Sequence, residues 1–322
     1  MKNKIINYIL KKIRKLKQQR LDARAGFKRI SQREAFLLED KLTIEEKKHY
    51  CERKAFSQLG YFPNLDNPKS YSEKIIWLAL HYKNPLIKIC ADKYRVKKYI
   101  KEKINLDITI PTIGIYKNVN DINFDDLPNK FVLKSTAGWG GKQVILVKNK
   151  NNINLERTKS RIAEWLYPWN NYYYNNLCVT DENIVPEILI EEYIGGEEGI
   201  DDYKIFCFNG KPRYILIVSE RGTKKIKKTF IDINSWEVIP IWRNETGVDK
   251  SIEKPELLGD MLKIAEKLSN DFPLLRLDFF IDRDKLYVGE MTFSPGMFLK
   301  INPLEWDYKL GEYLELNGKD AK

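Results

Sequence analysis

Histidine is scarce: the 322 residues contain only His49 and His81. That argues against histidine-rich metal sites and gives a Ser-His-Asp apparatus little to build on. Four cysteines, Cys51, Cys90, Cys178 and Cys207, form no CxxC pair and no metal-ligand spacing, which suits a reducing cytosol. No apolar run approaches the roughly 20 residues that a membrane-spanning helix needs. The run Ile5-Ile-Asn-Tyr-Ile-Leu10 is too short for a signal-peptide core, and no small-residue cleavage site follows it, so secretion is not expected. Internal repeats are absent too. With 43% hydrophobic residues, the chain has enough apolar material for one large domain or two modest ones.

The net charge of +11 is concentrated at one end. Residues 1–33 hold twelve Lys/Arg and a single acid, Asp22, while the remainder carries 44 bases and 44 acids. The basic balance belongs to a tail, so nucleic-acid binding is not expected of the whole chain. Within the tail, Ile5, Ile9, Ile13 and Leu16 share one helical face, and Lys4, Lys11, Lys12, Arg14 and Lys15 fill the remainder. Such a basic amphipathic helix can lie on an anionic membrane surface, serve as a solubilising extension, or pack on its own body.

Thr43-Ile-Glu-Glu46 and Ser70-Tyr-Ser-Glu73 read as capping boxes opening two helices, the first ending at Gly60. Asn84-Pro85 starts a third, and Asp92 caps a fourth through Ile104. Residues 34–104 are therefore expected to be helical, without the βαβ rhythm of a dinucleotide fold. Strands follow from Ile110. Phe131–Lys134, a Gly-rich loop (135–141) and Gln143–Val147 read as strand, loop, strand, and 154–166 as a helix. The aromatic stretch 169–176 reads as a loop, and 188–194 as a strand. Residues 203–219 form a hairpin turned at Asn209-Gly210, and 227–233 form another strand. A helix over 255–270, a second hairpin over 274–293 and a short helix ending near Leu316 complete the chain.

Lys134, at a strand end before Ser135-Thr-Ala-Gly138-Trp-Gly140-Gly141, suits a polyphosphate: the ammonium meets phosphate oxygens and a pliable backbone folds over them. It is no Walker loop, since GK[ST] is missing and a strand follows. An ordinary Gly-rich hairpin is the plainer reading. Asp278 and Glu290 fall on paired strands joined by a short turn. Two carboxylates with few other ligands fit Mg²⁺, which keeps waters and phosphates in its shell; the alternative is a pair of charges on a solvated sheet face. Their otherwise apolar strands oppose that alternative, because unpaired buried acids are costly. Asp282-Arg-Asp284 is formally a DxD, but it sits in the expected turn and reads as structural. Glu191, Glu192, Tyr193 and Ile194 end a strand and enter a hinge able to meet an adenine edge, though acidic strand ends are common.

In this order the pieces resemble the ATP-grasp superfamily: Lys93 of DKYRVKKY, FVLK134 with its Gly-rich loop, LIEEYI, then RLD278 and E290MTFSPGM. The last pair is similar to the R-x-D … E-x-N-x-x-P-G ending of D-alanine–D-alanine-ligase-like enzymes. GYFPNLDNPKSYSEKIIWL, FVLKSTAGWGG, DYKIFCFNGKP, FPLLRLDFF, GEMTFSPG and NPLEWDYKLGEYL resemble the TupA-like ATP-grasp family of cell-surface polysaccharide loci over roughly residues 59–316. The resemblance implies an α+β fold of two subdomains clamping ATP, with a central subdomain over 108–197 and a C-terminal one over 198–316. A basic tail (1–33) and a helical region (34–107) precede them, and a short tail (317–322) follows. It implies Lys93 and Lys134 on phosphates, with Gly138, Gly140 and Gly141 over them. Glu191 to Ile194 would surround adenine, and Asp202 would contact the ribose. Asp278, Glu290 and Thr292 would hold Mg²⁺, and Arg276 would face the reacting carboxyl. Thr292 stands where the family's usual second-metal Asn is expected. The implied activity is ATP-dependent, ADP-forming carboxylate–amine ligation in the cytoplasm or at the inner face of the membrane. Its substrates would be small-molecule or glycan, with a lipid-linked acceptor left open. A kinase on the same fold and a glycosyltransferase are the alternatives.

Overall fold

The structure is a computed structural model. It describes residues 18–20, 22–26, 31–38, 41–171, 184–196, 199–220, 225–241, 248–249 and 251–316. The expected amphipathic helix through Leu16 and most of the aromatic stretch 169–176 lie outside the described residues. Where the N-terminal segment is described, it packs on the body. Gln18 donates to the Ser57 carbonyl at 2.9 Å and to the Ser57 hydroxyl at 2.8 Å, beside the buried Asp22.

Helices come first: α1 (Gln32–Leu38), α2 (Ile44–Leu59), α3 (Tyr71–His81), α4 (Leu86–Ala91) and α5 (Arg95–Ile104). Both capping boxes form: Thr43 with Glu46 starts α2, and Ser70 with Glu73 starts α3. Gly60 ends α2 in the left-handed region, which glycine enters without steric cost. Asp92 caps α5, accepting from the Tyr94 and Arg95 N–H groups at 2.9 and 2.8 Å.

Next come β1 (Thr112–Tyr116), β2 (Phe131–Ser135), β3 (Val144–Val147), α6 (Leu155–Ala163) and β4 (Ile188–Glu192). Strands β1 to β4 form a four-stranded antiparallel sheet in the order β1-β4-β2-β3. The chain then builds β5 (Asp202–Phe208), β6 (Lys211–Ser219), β7 (Lys227–Asp232), α7 (Leu258–Ser269), β8 (Leu274–Asp282), β9 (Lys285–Thr292) and α8 (Leu304–Glu312). These five strands form a second antiparallel sheet, ordered β7-β6-β5-β8-β9.

Alternation along the strands decides what each sheet face buries. In the five-stranded sheet, Ile205, Cys207, Ile215, Leu275 and Leu277 pack against α4, α5 and α7. Phe206, Phe208, Tyr214, Phe230 and Leu274 face the other way, against α2, α3 and α8. The N-terminal helices thus share two cores with this sheet. In the four-stranded sheet, Phe131, Leu133, Ile188 and Ile190 pack on Ile162 and Trp165. Val132, Lys134, Leu189 and Glu191 take the opposite face. Cys90 and Cys207 are buried free thiols. No helix among the described residues is long and apolar enough to cross a membrane.

Candidate active site

Start with the four-stranded sheet. Register sets Val132 opposite Glu191 and Lys134 opposite Leu189, so Lys134 and Glu191 are diagonal neighbours on one face. The Lys134 ammonium lies 2.5 Å from Glu191 Oε2. Lys97, reaching from α5, lies 2.5 Å from Oε1 and also donates to the Ile110 carbonyl at 2.5 Å and the Thr112 hydroxyl at 2.7 Å. Glu191 is only 3% exposed. Burial alone would raise its pKa, but Lys134 and Lys97 outweigh that and hold the carboxyl below its ordinary value. The Glu191 side chain is therefore paired with two lysines. Beyond it, Glu192 is exposed and Tyr193 and Ile194 are half-buried. The Glu192 N–H is occupied by the Pro111 carbonyl at 3.0 Å.

The Gly-rich loop leaves β2 beside these lysines. Gly138 is tightly packed: a Cβ there would stand 3.0 Å from the Gln143 Cβ and 3.2 Å from the Ser135 carbonyl. Gly140 and Gly141 have φ of 59° and 71°, a conformation that side chains other than glycine adopt at a cost. The base of the loop is tied down. Thr136 accepts from the Lys93 N–H through its carbonyl and from the Glu187 N–H through its hydroxyl, both at 3.0 Å. Arg95 links Asp92 at 2.5 Å to Glu187 at 2.9 Å.

On the five-stranded sheet, charged residues continue the Phe206–Leu274 face. Lys204 stands opposite Asp278, Asp278 opposite Glu290, and Arg276 opposite Thr292. Arg276 clasps Asp278 with two hydrogen bonds, Nε to Oδ1 at 2.6 Å and a terminal nitrogen to Oδ2 at 2.9 Å. Lys204 contacts the same carboxylate and lies 2.7 Å from Asp202. Burial pushes the Asp278 carboxyl up, but Arg276 and Lys204 more than offset it and set its pKa below the ordinary value. Burial likewise opposes the charged form of Arg276, and Asp278, helped by Glu290 and Asp202, restores it and raises the guanidinium pKa. Asp202 is fully buried and belongs to this ionic cluster through Lys204.

Lys93 joins the two sides. Its ammonium contacts the Gly138 carbonyl of the loop and lies 3.4 Å from Glu290 Oε1. The structure therefore links Lys93 with Gly138 and Glu290 by direct contact, and places Asp278, Arg276 and Thr292 beside Glu290 on the β8–β9 hairpin. Lys97 and Lys204 were not singled out by the sequence reading. Lys204 carried a signal, since it alternates with Asp202 and Phe206 on the strand beside Asp278. Lys97 carried none, because its partner comes from a distant strand. Asp282 ends β8 opposite Lys285, and Asp284 lies in the β8–β9 turn, where Arg283 and Asp284 have positive φ.

A divalent cation fits the second cluster by donor chemistry. The Asp278 and Glu290 oxygens are hard donors placed side by side, and because Arg276 and Lys204 hold both Asp278 oxygens, a metal ion there would share or displace one of those cations. The Thr292 hydroxyl, two positions along the same strand face, is buried without a hydrogen-bond partner. No group of three or more His, Cys, Asp or Glu is gathered for a metal among the described residues. The remaining ligands would have to be phosphate oxygens and water, as Mg²⁺ prefers.

Two antiparallel sheets, one bearing lysines and a Gly-rich loop and the other a carboxylate hairpin, linked through Lys93, fit an ATP-grasp architecture. The TupA-like ATP-grasp family model matches residues 73–315, and the chain belongs to that family. No curated protein matches the chain. Among solved structures, the chain is similar to the D-alanine–D-alanine ligase of Bacillus anthracis complexed with ATP, at 20% identity and TM-score 0.40, covering 68% of this chain and 59% of that one. It is also similar to an N5-carboxyaminoimidazole synthetase from Staphylococcus aureus complexed with ADP, at 15% identity and TM-score 0.42, covering 80% and 52%. A third is an L-amino acid ligase from Bacillus licheniformis, at 12% identity and TM-score 0.39, covering 66% and 42%. The chain thus spans three fifths or less of the length of these structures.

Proposed function

We propose that this chain is an ATP-dependent carboxylate–amine ligase. The observation that carries the reading is the position of Lys93, which touches the Gly138 carbonyl and lies 3.4 Å from Glu290. One cation thereby spans a phosphate-type loop and a metal-type carboxylate pair. In the reaction, a carboxylate oxygen of the substrate attacks the γ-phosphorus of ATP, and ADP departs. An amine nitrogen then attacks the acyl carbon of the resulting acylphosphate, loses a proton, and phosphate leaves as the amide forms. Mg²⁺ bound by Asp278, Glu290 and Thr292 would neutralise phosphate charge. Lys93 and Lys134 would bind phosphate oxygens, and Arg276 would orient the reacting carboxyl. None of these residues needs to become covalently attached, and positioning with charge neutralisation accounts for the rate.

Membership in the TupA-like family supports a place in cell-surface polysaccharide synthesis, with a uronic-acid-type carboxylate and an amino-acid-type amine. The +11 segment 1–33 would hold the enzyme at the anionic inner face of the membrane.

Thermal shift of the full chain against a nucleotide panel with Mg²⁺ tests the reading. ATP at about 100 times its Kd should stabilise the fold by about 2.7 kcal/mol, and UDP-sugars should not. A shift with UDP-sugar and none with ATP would replace the ligase with a sugar-nucleotide enzyme. Product analysis with candidate acceptors should show ADP and an amide; a stable phosphorylated product would make it a kinase. Co-sedimentation with phosphatidylserine vesicles at low salt tests the membrane part separately, with no binding counting against it.

A further inference from the structure

Glu191 lies between two lysines that are held very differently. The Lys97 ammonium meets three acceptors: Glu191 Oε1, the Ile110 carbonyl and the Thr112 hydroxyl, at 2.5, 2.5 and 2.7 Å. An ammonium has three N–H donors, so Lys97 is fully engaged and anchored to β1 and the segment before it. Among the described residues, Lys134 meets Glu191 Oε2 at 2.5 Å and keeps donors to spare. Both side chains are largely buried, 15% and 17% exposed, around a carboxylate that is 4% exposed.

From this asymmetry we infer that Lys97 is a positioning residue for nucleotide binding. It keeps Glu191 neutralised so that Lys134 is free to leave for a phosphate. The inference rests on the ligase reading above, because it takes Lys134 as a phosphate ligand. If Lys134 turned to a phosphate with no other cation present, it would strand a buried carboxylate, and an uncompensated buried charge is among the costliest defects a protein can hold. With Lys97 fixed in place, the carboxylate keeps one strong partner when Lys134 leaves. Glu191 thus acts as a stand-in for the phosphate in the nucleotide-free site, and Lys97 lowers the cost of the exchange. Burial, with Lys134 nearby, sets the Lys97 pKa below its ordinary value although Glu191 favours the charged form, and both lysines favour the charged form of Glu191.

A double-mutant cycle on the full chain tests this, with a non-hydrolysable ATP analogue and Mg²⁺ titrated by calorimetry. Lys97→Met should weaken binding about tenfold although Lys97 itself does not reach the nucleotide. Lys97→Arg, which keeps a cation on Glu191, should stay within about threefold of wild type. Glu191→Gln removes the charge that needs holding. Lys97→Met/Glu191→Gln should therefore bind within about twofold of Glu191→Gln alone. Wild-type affinity in Lys97→Met would overturn the inference. So would a tenfold loss that persists in the Glu191→Gln background, because Lys97 would then act on the nucleotide or on the fold. Should Lys97→Met fail to fold, the comparison moves to Lys97→Gln, and loss of binding in a folded Lys97→Arg overturns the inference on its own. If wild type binds the analogue and Lys134→Met binds equally well, the phosphate role of Lys134 fails, and the ligase reading loses that residue. If wild type binds no ATP analogue, the ligase reading itself falls and takes this inference with it.

Discussion

On the four-stranded sheet, one buried carboxylate, Glu191, faces two lysines. On the five-stranded sheet, Asp202, Asp278 and the partly exposed Glu290 share Lys204, Arg276 and the bridging Lys93. Both walls tie a buried acid to two cations, yet they leave opposite remainders. The first holds one positive charge more than it neutralises. The second, without Lys93, holds one negative charge more. A cleft with a cationic wall and an anionic wall is matched by a polyphosphate carrying a divalent cation, since each wall then meets its opposite. Neither wall is a stabilising device in the first place: buried ion pairs often roughly break even against apolar packing, and it is the loss of one partner that costs.

The largest effect should come from breaking the anionic wall. Asp278→Asn leaves Arg276 and Lys204 buried without their shared carboxylate. Turnover of ATP should fall by about 100-fold or more, the scale of losing a key electrostatic group. Stability should drop by about 3 kcal/mol, the lower range for breaking a buried pair. Single-turnover ADP formation and urea denaturation measure the two. Unchanged turnover would remove Asp278 from the chemistry.

The cationic wall should break more gently. Lys134→Ala leaves Glu191 with Lys97 still in place, so stability should fall by less than about 3 kcal/mol, the cost expected when a buried charge loses its only partner. ATP affinity should weaken by about 10- to 100-fold, the worth of a charge-assisted hydrogen bond. Calorimetry beside a melting curve separates the two. A stability loss as large as that of Asp278→Asn would mean the two walls are not different in kind.

Acid sharpens the comparison further. Asp278 and Glu191 both have pKa values held below the ordinary carboxylate range by their cations. Between the folded and unfolded values the unfolded chain binds more protons, so stability falls as pH drops through about 4 and reaches its floor below the folded values. Asp307 works the other way, because burial raises its pKa. Urea unfolding from pH 7 to pH 3 should show a net loss below about pH 4.5. That loss should be shallower in Asp278→Asn and in Glu191→Gln. An acid slope identical to wild type in both variants would show that neither carboxylate is ion-paired in the folded chain.

What was legible in the sequence was mainly local. The capping boxes at Thr43 and Ser70, the Gly60 stop and the Asn209-Gly210 turn each depend on residues within four positions of one another, and each formed. The facing of Asp278 and Glu290 was legible for the same reason, because a short turn fixes hairpin register. The insertion of β4 between β1 and β2 was not, since it depends on pairing across more than 50 residues. Lys97 was missed with it, because its partner Glu191 reaches it only through that insertion. Glu191 was placed at the hinge by its position at a strand end. Its side chain pairs with Lys134 and Lys97, because a carboxylate buried on that face needs cations, and that pairing depends on the long-range register.

The smallest effect separates an acid in the cleft from one beside it. Asp284 lies only six residues before Glu290, in a turn where Arg283 has φ of 47° and Asp284 has φ of 64°. Aspartate and asparagine both tolerate this left-handed region better than other non-glycine residues. Asp284→Asn should therefore change stability by no more than about 0.5 kcal/mol, and ATP turnover should match wild type. Asp284→Val, with a branched Cβ in the same conformation, should destabilise by more, which shows that the turn geometry is real. A folded Asp284→Asn that loses most of its turnover would make Asp282-Arg-Asp284 a functional motif. The anionic wall would then extend into the hairpin turn, and its boundary with the structural acids would have to be redrawn.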